Sequence, residues 1–527
     1  MLKEMTIQEC HKVEIFASKV VSFEKAIEDQ RQSEMSNIKQ PLFSVDEHSF
    51  PSLEKLLISN MDSVEIIFGK LEGQNGKEPQ VLISPALGTE ESGATTQFAS
   101  TLSFPSLKEL DISSMDKLEI IWQDQVTATS FPNIQKLEIF DCKKLLHVFQ
   151  SNLHTTTTTL IQSLTCLVIG SCSSLETIFG NMEGQNGKEP QVLIAPSSGT
   201  EESVAREDGT ARHIQFPILT QLSLDGLPKL MFVFEEGTFP NLKYLSFYFG
   251  GRTKCPNRFS DFPDPSSLLT GLPNLLELEV YDSVWEEIFP YELVDREIRL
   301  RKLRLCRLCM LTHLWKEHST QPCQLFHNLE YLIVSRCGKL KNIVPSSVSL
   351  HNLTGLEISS CHGLINLLTS STAKTLVQLK RMTVIDCKRI TELVAMEDIG
   401  EANVAITFNK LRYLELRGLP NLTHFCSGPY SFGFPSLDEV IVRCCPEMKT
   451  FSHGVSSTPK LTAVYDDKRW MKPNLYWEDD LNTTTRCLWE ANQYDTRLLF
   501  RERVENSEED EDHPSEDEDH SETTEEW

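Results

Sequence analysis

Cysteine has the widest chemical repertoire of any residue type in this sequence, because thiolates can bind metal ions or form redox pairs. The chain contains 15 cysteines. Cys306 and Cys309 form a Cys-x-x-Cys pair, but a zinc site needs a second such pair or histidines at matching spacing, and none is close by in sequence. Seven others share one position of a repeat: Cys10, Cys142, Cys172, Cys337, Cys361, Cys387 and Cys445. This position favours core packing with weak contacts to backbone groups where a strand ends, so we expect no metal site and no cofactor.

A second group of residues resembles a phosphate-binding loop. Gly73–Lys77 and its copy Gly184–Lys188 both have the sequence Gly-Gln-Asn-Gly-Lys. A phosphate loop also needs glycine where Leu71 stands and serine or threonine where Glu78 stands, and a carboxylate would repel the phosphate. The sequence also lacks the common serine hydrolase, zinc protease and calcium-loop patterns, so we expect the protein not to be an enzyme.

A basic run is the last candidate for phosphate chemistry. Residues 299–307 hold five bases in nine positions and resemble a nuclear signal or a nucleic-acid patch. The leucines between the bases keep the repeat spacing, so we expect the bases to be the outward residues of one strand. The net charge of −26 at pH 7 also disfavours nucleic acid as a partner, because phosphate affinity needs a basic surface.

The element that must position all of these residues is a repeat. From Leu107 onward, apolar residues lie at offsets 0, 3, 5, 8, 11, 14 and 15, and the same offsets are apolar from Leu300 onward. Where the spacing is tight, the pattern restarts every 23 to 33 residues, close to the period of about 20 to 29 residues in leucine-rich repeats. Many repeats open with Phe-Pro. The repeat starts are Leu2, Leu53, Leu107, Ile134, Leu164, Leu219, Leu242, Leu275, Leu300, Leu329, Leu353, Leu379, Leu411 and Leu437.

Side-chain direction converts this spacing into a fold. Offsets 3 and 5 point to one face of a short strand, whereas offsets 2, 4, 6 and 7 point outward. A strand with one apolar face can bury it only against neighbouring repeats, so the repeats must stack. The sequence therefore predicts an α/β leucine-rich-repeat solenoid of about 14 repeats. We expect a curved horseshoe with a parallel β-sheet on the concave face and an irregular or short helical convex side.

The repeat array has two related interruptions and an acidic end. Residues 68–92 and 179–203 are identical at 20 of 25 positions, and we expect looped insertions near 69–103 and 180–215 within an array spanning 1–490. From Glu505 to Trp527 there are 13 acidic residues and no lysine or arginine. Such a segment repels itself, so residues 491–527 are expected to form an acidic disordered tail.

The cellular location follows from two absences. No apolar run reaches the roughly 18 residues that cross a bilayer, and the first 23 residues interleave charges with apolar side chains. The cysteines are odd in number and spread over the whole length, which argues for a reducing compartment. We expect a cytoplasmic or nuclear protein without a membrane span.

Outward strand positions are where a solenoid presents side chains to a partner, because the concave face is a rigid platform. Early repeats place mainly acidic residues there, such as Glu109, Asp111 and Glu138. Later repeats place tyrosine, lysine and arginine there, and tyrosine and arginine are common interface anchors. The predicted protein-binding residues are Tyr244, Tyr248, Tyr281, Lys302, Arg304, Tyr331, Arg336, Arg381, Tyr413, Arg417 and Arg443.

Three segments carry a resemblance to a known family. The repeat from Phe131 to Leu145, Cys387 shortly after Val384, and the ending from Tyr476 to Thr484 are similar to the leucine-rich-repeat region of plant coiled-coil nucleotide-binding disease resistance proteins. The resemblance covers residues 1 to about 490. It implies an intracellular immune receptor whose repeats contact a pathogen effector or a guarded host protein and hold the ATPase module inactive. Since the repeats already run at Leu2, we expect the coiled-coil and nucleotide-binding modules to be absent from this chain.

The sequence thus predicts a protein-recognition module in plant defence, resembling the effector-sensing and autoinhibitory part of a disease resistance protein. Its expected partner is a protein: a pathogen effector, a guarded host protein, or a nucleotide-binding module in trans. Two alternatives stay open. One is a substrate-binding adaptor for ubiquitin ligation, although residues 1–50 show no F-box-like helical segment. The other is a non-functional fragment of a resistance gene.

Overall fold

The computed structural model describes residues 2–10, 41–44, 50–69, 104–123, 131–149, 162–179, 214–230, 237–248, 269, 271–289, 299–314, 326–344, 348–396, 405–462, 464–466 and 474–491. The chain divides into two compact units, Met1–Gly363 and Leu364–Trp527. Each unit contains a main sheet, to which successive repeats contribute one strand each.

The strands of the first unit are β1 (Glu4–Gln8), β2 (Pro41–Ser44), β3 (Lys55–Ser59), β4 (Ile66–Gly69), β5 (Glu109–Ser113), β6 (Ile120–Trp122), β7 (Lys136–Phe140), β8 (His147–Phe149), β9 (Cys166–Gly170), β10 (Thr177–Phe179), β11 (Ile214–Gln215), β12 (Gln221–Asp225), β13 (Gly237–Thr238), β14 (Tyr244–Tyr248), β15 (Glu277–Tyr281), β16 (Lys302–Cys306), β17 (Tyr331–Ser335) and β18 (Gly355–Ser359). The main sheet has the order β1, β3, β5, β7, β9, β12, β14, β15, β16, β17, β18, and its strands are parallel. The other strands form small sheets with the orders β2-β4-β6, β10-β8 and β11-β13.

The second unit contains β19 (Leu368–Thr369), the short helix α1 (Ser370–Thr375), β20 (Arg381–Ile385), β21 (Val394–Ala395), β22 (Ala405–Thr407), β23 (Tyr413–Arg417), β24 (Ser431–Gly433), β25 (Glu439–Arg443), β26 (Ser456–Ser457), β27 (Val464–Asp466), β28 (Asn474–Tyr476) and a helix α2 over 481–491. Its main sheet runs β20, β23, β25, β27 in parallel, and β28 closes it in the antiparallel direction. Small sheets pair β19 with β21 and β22 with β24 and β26.

Buried ladders of aliphatic side chains hold the repeats together. Between β5 and β7, Leu110 lies opposite Leu137 and Ile112 opposite Ile139, and each is at most 1% exposed. Burying one such side chain contributes about 1.5–3 kcal/mol, and each repeat supplies two of them at offsets 3 and 5. All fourteen repeat starts are followed by a main-sheet strand, which confirms the predicted register and the leucine-rich-repeat solenoid. Strand β27, after Leu461, adds one more.

A second row of short strands lies at offsets 13 to 16, where the sequence predicted irregular or short helical structure. In β6, Ile121 and Trp122 are each 1% exposed, and Trp122 stacks on Phe68 of β4 with ring centroids 5.1 Å apart. The apolar pair at offsets 14 and 15 is therefore a second buried rung. Helix α1 is an example of the short helical structure that the sequence predicted. Thr369 caps this helix by accepting a hydrogen bond from the Thr372 N–H.

The Phe-Pro pairs mark repeat boundaries, as expected, but they open a turn that precedes the strand. The Leu107 N–H donates to the Phe104 carbonyl at 3.2 Å, so the proline occupies the second position of a turn, which suits its fixed φ. The rings stack between repeats, with the centroids of Phe104 and Phe131 5.2 Å apart. The turn thus places a phenylalanine ring in the core at Phe-Pro boundaries such as these.

Helix α2 packs on the second unit near the end of the array. Leu481 and Leu488 are buried, and the Trp489 indole N–H donates to the Pro446 carbonyl at 2.7 Å. The Asp480 side chain caps the helix by accepting from the N–H groups of Asn482 and Thr483. No helix within the described ranges is long and apolar enough to cross a membrane. The expected insertions lie almost wholly outside the described residues, and the expected tail does so from residue 492 onward.

Candidate protein-binding face

We call the side chains at offsets 2, 4 and 6 of the main-sheet strands the strand face. In β5, Glu109, Asp111 and Ser113 are half-buried on this face, while Leu110 and Ile112 are buried on the other. Strands β7, β16, β23 and β25 show the same alternation. Alternation therefore separates the residues that build the core from those that a partner can reach.

The early repeats carry an acidic strand face that lysines partly neutralise. Asp111 lies opposite Glu138 in the strand register, and burial together with the Glu138 charge raises the pKa of Asp111. Lys136 Nζ lies 2.9 Å from Glu138 Oε2, and Lys55 Nζ lies 3.1 Å from Glu109 Oε2. The acidic character expected here is present: lysines pair with Glu109 and Glu138, whereas Asp111 Oδ1 is buried without a hydrogen-bond partner among the described residues.

Glu279 organises four of the predicted site residues, although it was not itself predicted. Its Oε1 lies 2.9 Å from Lys302 Nζ and 3.5 Å from Arg304 Nε, and its Oε2 accepts from the hydroxyls of Tyr281 at 3.0 Å and Tyr244 at 3.4 Å. The residue is 9% exposed. Burial pushes the pKa of Glu279 upward, but hydrogen bonds from Lys302 and Tyr281 outweigh it and hold the pKa below its usual value. Burial and this carboxylate raise the pKa of Tyr281 to about 12.

A second ion pair lies beside this cluster. Arg307 donates to both carboxylate oxygens of Asp282, at 2.6 and 2.8 Å, and its guanidinium lies 5.3 Å from the Tyr248 ring centroid. Tyr248 also meets Tyr281 edge to face, with centroids 5.9 Å apart. A planar guanidinium held by a carboxylate and an aromatic ring has little freedom left, so Arg307 and the neighbouring Tyr248 are fixed before any partner arrives.

Tyr331 and Arg336 form the more open part of the first unit. Tyr331 is 49% exposed, and its ring lies over Gly355, where a Cβ atom would come within 2.7 Å of the ring. Arg336 is exposed, and no carboxylate of the described residues lies within ion-pair distance of it. These two side chains are therefore available for contacts outside the chain.

The second unit repeats the tyrosine–glutamate–arginine theme. The Tyr413 hydroxyl donates to Glu415 Oε2 at 2.9 Å, and Arg417 Nε lies 3.8 Å from Glu415 Oε1. The Arg381 guanidinium lies 3.8 Å from the Tyr413 ring centroid. Burial and the hydrogen bond to Glu415 raise the pKa of Tyr413 to about 12. Arg417 lies opposite Arg443 in the register of β23 and β25, so two cations occupy adjacent strands.

The structure corrects the placement of offset 7 among the outward strand positions. Residues there leave the strand with positive φ, and Arg336, for example, has φ of 54°. Their N–H still donates to the carbonyl at offset 6 of the next repeat, as from Arg307 to Ser335 at 2.9 Å, so the left-handed turn keeps the last rung paired. Residues with this conformation are Glu9, Asn60, Ser114, Asp141, Ser171, Gly226, Asp282, Arg307, Arg336, Ser360, Asp386, Gly418 and Cys444.

The cysteines at offset 8 behave as predicted. Cys142 and Cys172 are buried, and each thiol donates to the carbonyl two residues earlier, Phe140 at 3.4 Å and Gly170 at 3.3 Å. A hydrogen bond with Cys172 and burial raise the pKa of the Cys142 thiol, which makes it inert.

The Cys-x-x-Cys pair is not joined, since Cys306 is free while Cys309 is disulfide-bonded. Among the described residues, no group of three or more His, Cys, Asp or Glu side chains is arranged to hold a metal ion.

Comparison with known proteins adds a family match. The model of the leucine-rich repeats of plant disease resistance protein RPS2-like sequences matches residues 33–156, 106–248, 253–350 and 349–458. The complex of TLR13 with ssRNA13 is 13% identical, with 77% of this chain and 69% of that chain covered and a TM-score of 0.24. The plant peptide hormone receptor RGFR1 in complex with RGF2 is also 13% identical, with 68% and 74% covered and a TM-score of 0.21. No curated protein sequence matches the chain.

Proposed function

We propose that this chain, which belongs to the leucine-rich repeats of RPS2-like plant disease resistance proteins, recognises a protein partner through its strand face in the plant defence response. In this proposal the partner is a pathogen effector, a guarded host protein or a nucleotide-binding module in trans. This chain acts in the cytoplasm, where it senses the effector or restrains the nucleotide-binding module.

The observation that carries the proposal is the cluster of Arg381, Tyr413, Glu415 and Arg417. Tyrosine and arginine are the side chains that contribute most to protein interfaces. Here the Tyr413 hydroxyl is held by Glu415 at 2.9 Å, and its ring supports the Arg381 guanidinium at 3.8 Å. Ordering a flexible side chain at an interface costs about 0.5–1.5 kcal/mol, and a cluster that is already ordered avoids part of that cost.

The cluster around Glu279 supports the same conclusion in the first unit. Glu279 lies within ion-pair distance of both Lys302 and Arg304, so these bases do not bring an unpaired buried charge into the interface, although Arg304 Nε has no hydrogen-bond partner among the described residues. Tyr331, which is 49% exposed, lies in the same sheet and supplies an aromatic anchor.

Charge reversal on the strand face tests the proposal. We expect the substitutions Arg381→Glu, Arg417→Glu and Arg443→Glu together to abolish capture of a partner from plant extract by the tagged chain, with the circular-dichroism spectrum unchanged. A matched control reverses three exposed bases of the same unit that lie off the strand face, namely Lys374, Arg389 and Lys460. Equal capture by the two triple variants would contradict the proposal.

A further inference from the structure

We propose that the acidic segment Glu505–Trp527 of this chain docks on the strand face of the second unit, at Arg381, Arg417 and Arg443, and competes there with the protein partner. The inference rests on the proposed function, because it assigns a regulator to the same face. Three observations carry it: an unpaired, pre-oriented guanidinium, a pair of aligned arginines, and a long run of carboxylates within reach.

Arg381 is the unpaired guanidinium. It is exposed, and no carboxylate of the described residues lies within ion-pair distance of it. Its guanidinium lies 3.8 Å from the Tyr413 ring centroid. Stacking of this kind occupies the flat face of the group and leaves its N–H edge open, and that edge matches a carboxylate in two parallel hydrogen bonds. Arg381 is therefore a preformed site for an acidic side chain.

The aligned arginines are Arg417 and Arg443. They lie opposite each other in the strand register, which places their backbones about 4.8 Å apart. The Arg417 side chain is 43% exposed, and its ion-pair contact is the 3.8 Å approach to Glu415. Glu415 is 12% exposed and also accepts from the Tyr413 hydroxyl, so it is largely enclosed by its own neighbours.

Other acids border the face and limit which ligands fit. Glu439 lies opposite Tyr413 in the register, and Asp386 follows β20 in the turn at offset 7. They make the field uneven: Arg417 and Arg443 share one row at the carboxyl ends of β23 and β25, and Arg381 lies at the start of β20, four residues away along the strand. An extended chain carrying several carboxylates can place them on the arginines and its uncharged residues beside these two acids, whereas a compact anion engages one arginine at a time.

The segment Glu505–Trp527 has the carboxylates that such a ligand needs. It has 13 acidic residues and no lysine or arginine, interspersed with serine, threonine and histidine. The described part of the same unit ends at residue 491 in helix α2, and the 14 residues up to Glu505 span at most about 50 Å when extended. The strands from β20 to β27 occupy three spacings of about 4.8 Å, so the face is narrow compared with that reach. A tethered ligand has an effective concentration in the millimolar range, which allows weak ion pairs to hold it.

The test measures binding of a fluorescein-labelled peptide with the sequence of residues 505–527 to the full-length chain by anisotropy at low salt. One variant, called the neutral-tail chain, has all 13 acids of this segment changed to the corresponding amides. We expect the neutral-tail chain to bind the peptide at least about tenfold tighter than the native chain, whose own tail competes. Adding Arg381→Ala, Arg417→Ala and Arg443→Ala should weaken binding about tenfold or more, and added salt should weaken it further.

The control variant loses the same number of positive charges at positions off the strand face. Changing Lys374, Arg389 and Lys460 to alanine in the neutral-tail chain should alter binding less than about twofold, since exposed charges off the docking site contribute little. Equal loss in the two triple variants, or equal affinity of native and neutral-tail chains, would overturn the proposal. So would binding that is lost only when Arg304 and Arg336 of the first unit are changed.

A second measurement needs no substitution in the repeats. Cys444 is exposed and follows Arg443 directly, whereas Cys306 lies on the strand face of the first unit. We expect a neutral maleimide to label Cys444 faster in the neutral-tail chain than in the native chain, with the rate at Cys306 unchanged, as read by mass spectrometry of each peptide. Unchanged labelling of Cys444 would overturn tail docking. It would leave the proposed partner binding intact, because that is judged by capture with the charge-reversed face.

Discussion

Replacing Glu279 with alanine should destabilise the first unit, because Arg304 would lose its carboxylate and Lys302 would retain the longer contact to Glu277, at 3.4 Å. Breaking a fully buried ion pair costs about 3–5 kcal/mol, whereas an exposed pair contributes about 0.2–1 kcal/mol. Glu279 is 9% exposed, but the side chains of Lys302 and Arg304 are 28% and 38% exposed, so water takes over part of their solvation. We therefore expect a loss of about 2 kcal/mol in the free energy of unfolding.

The assay is urea unfolding followed by circular dichroism, with Glu357→Ala as the matched control. Glu357 is a glutamate at the same offset in the same unit, but it is exposed and has no ion pair within the described residues. Its removal should change stability by less than about 0.5 kcal/mol. If Glu279→Ala and Glu357→Ala unfold at the same urea concentration, the Glu279 cluster is not a stabilising network and the description of a preformed strand face fails.

The fall in the free energy of unfolding at acid pH, called the acid limb, tests the same prediction by a second measurement. The pKa of Glu279 is lowered in the folded protein, so its contribution is present above the unfolded value of about 4.3 and is lost as pH falls through the folded pKa. Glu279→Gln should therefore flatten the fall in stability below about pH 4.3. An acid limb as steep as that of the native protein would show that the carboxylate does not gain its charge partners on folding.

Three further predictions concern the core, the turns and the tyrosines. Changing Leu356 and Ile358, both 0% exposed, to aspartate should abolish the cooperative melt of the first unit, since each buried charge costs several kcal/mol; an unchanged circular-dichroism melt would refute the register. Gly418→Ala should destabilise the second unit by about 1–2 kcal/mol, because φ is 65° and the new Cβ would meet the Asp386 carboxylate; an unshifted urea midpoint would contradict this. Ultraviolet titration should show tyrosines that ionise near pH 12, and the substitutions Tyr281→Phe and Tyr413→Phe should remove this transition. The stability that these two hydroxyls contribute is present below about pH 10 and should be lost as pH rises towards 12. A single tyrosine transition near pH 10 in the native chain would count against both hydroxyl–carboxylate bonds.

The inward half of each strand could be predicted from the sequence because aliphatic periodicity is a direct record of burial. Leu110 and Ile112 are apolar at offsets 3 and 5 for the same reason that they are 1% and 0% exposed. The offset-8 cysteines were predictable in the same way. For the second row of strands, the sequence showed that Ile121 and Trp122 are apolar. It did not show that they form strands, because strand pairing depends on two repeats and cannot be read from one segment alone.

At offset 7, only some repeats carry residue types that indicate a left-handed turn. Asn60, Gly226 and Gly418 are residue types that favour positive φ, and they indicate a left-handed turn. Arg307 and Arg336 stand at the same offset and do not share that preference, so in these repeats the sequence favours a strand residue. Aligning all repeats at offset 7 distinguishes a left-handed turn from a strand position.

Glu279 was missed for a different reason. Its role comes from the bases of the next strand, since Arg304 lies opposite it in the register and Lys302 lies two residues earlier on the same strand. Alignment of neighbouring repeats predicts that these side chains are adjacent. It does not predict which of several nearby carboxylates each base chooses, because side-chain rotamers and burial decide that.

Hydrogen exchange of the chain alone and with a captured partner tests the central claim most directly. If recognition uses the strand face, amides of β20, β23 and β25 or of β14 to β17 should exchange more slowly in the complex. The small sheet of β22, β24 and β26 should be unaffected. Protection confined to that small sheet, with the main-sheet strands unchanged, would show that the partner binds elsewhere and that the strand face serves only to cover the core.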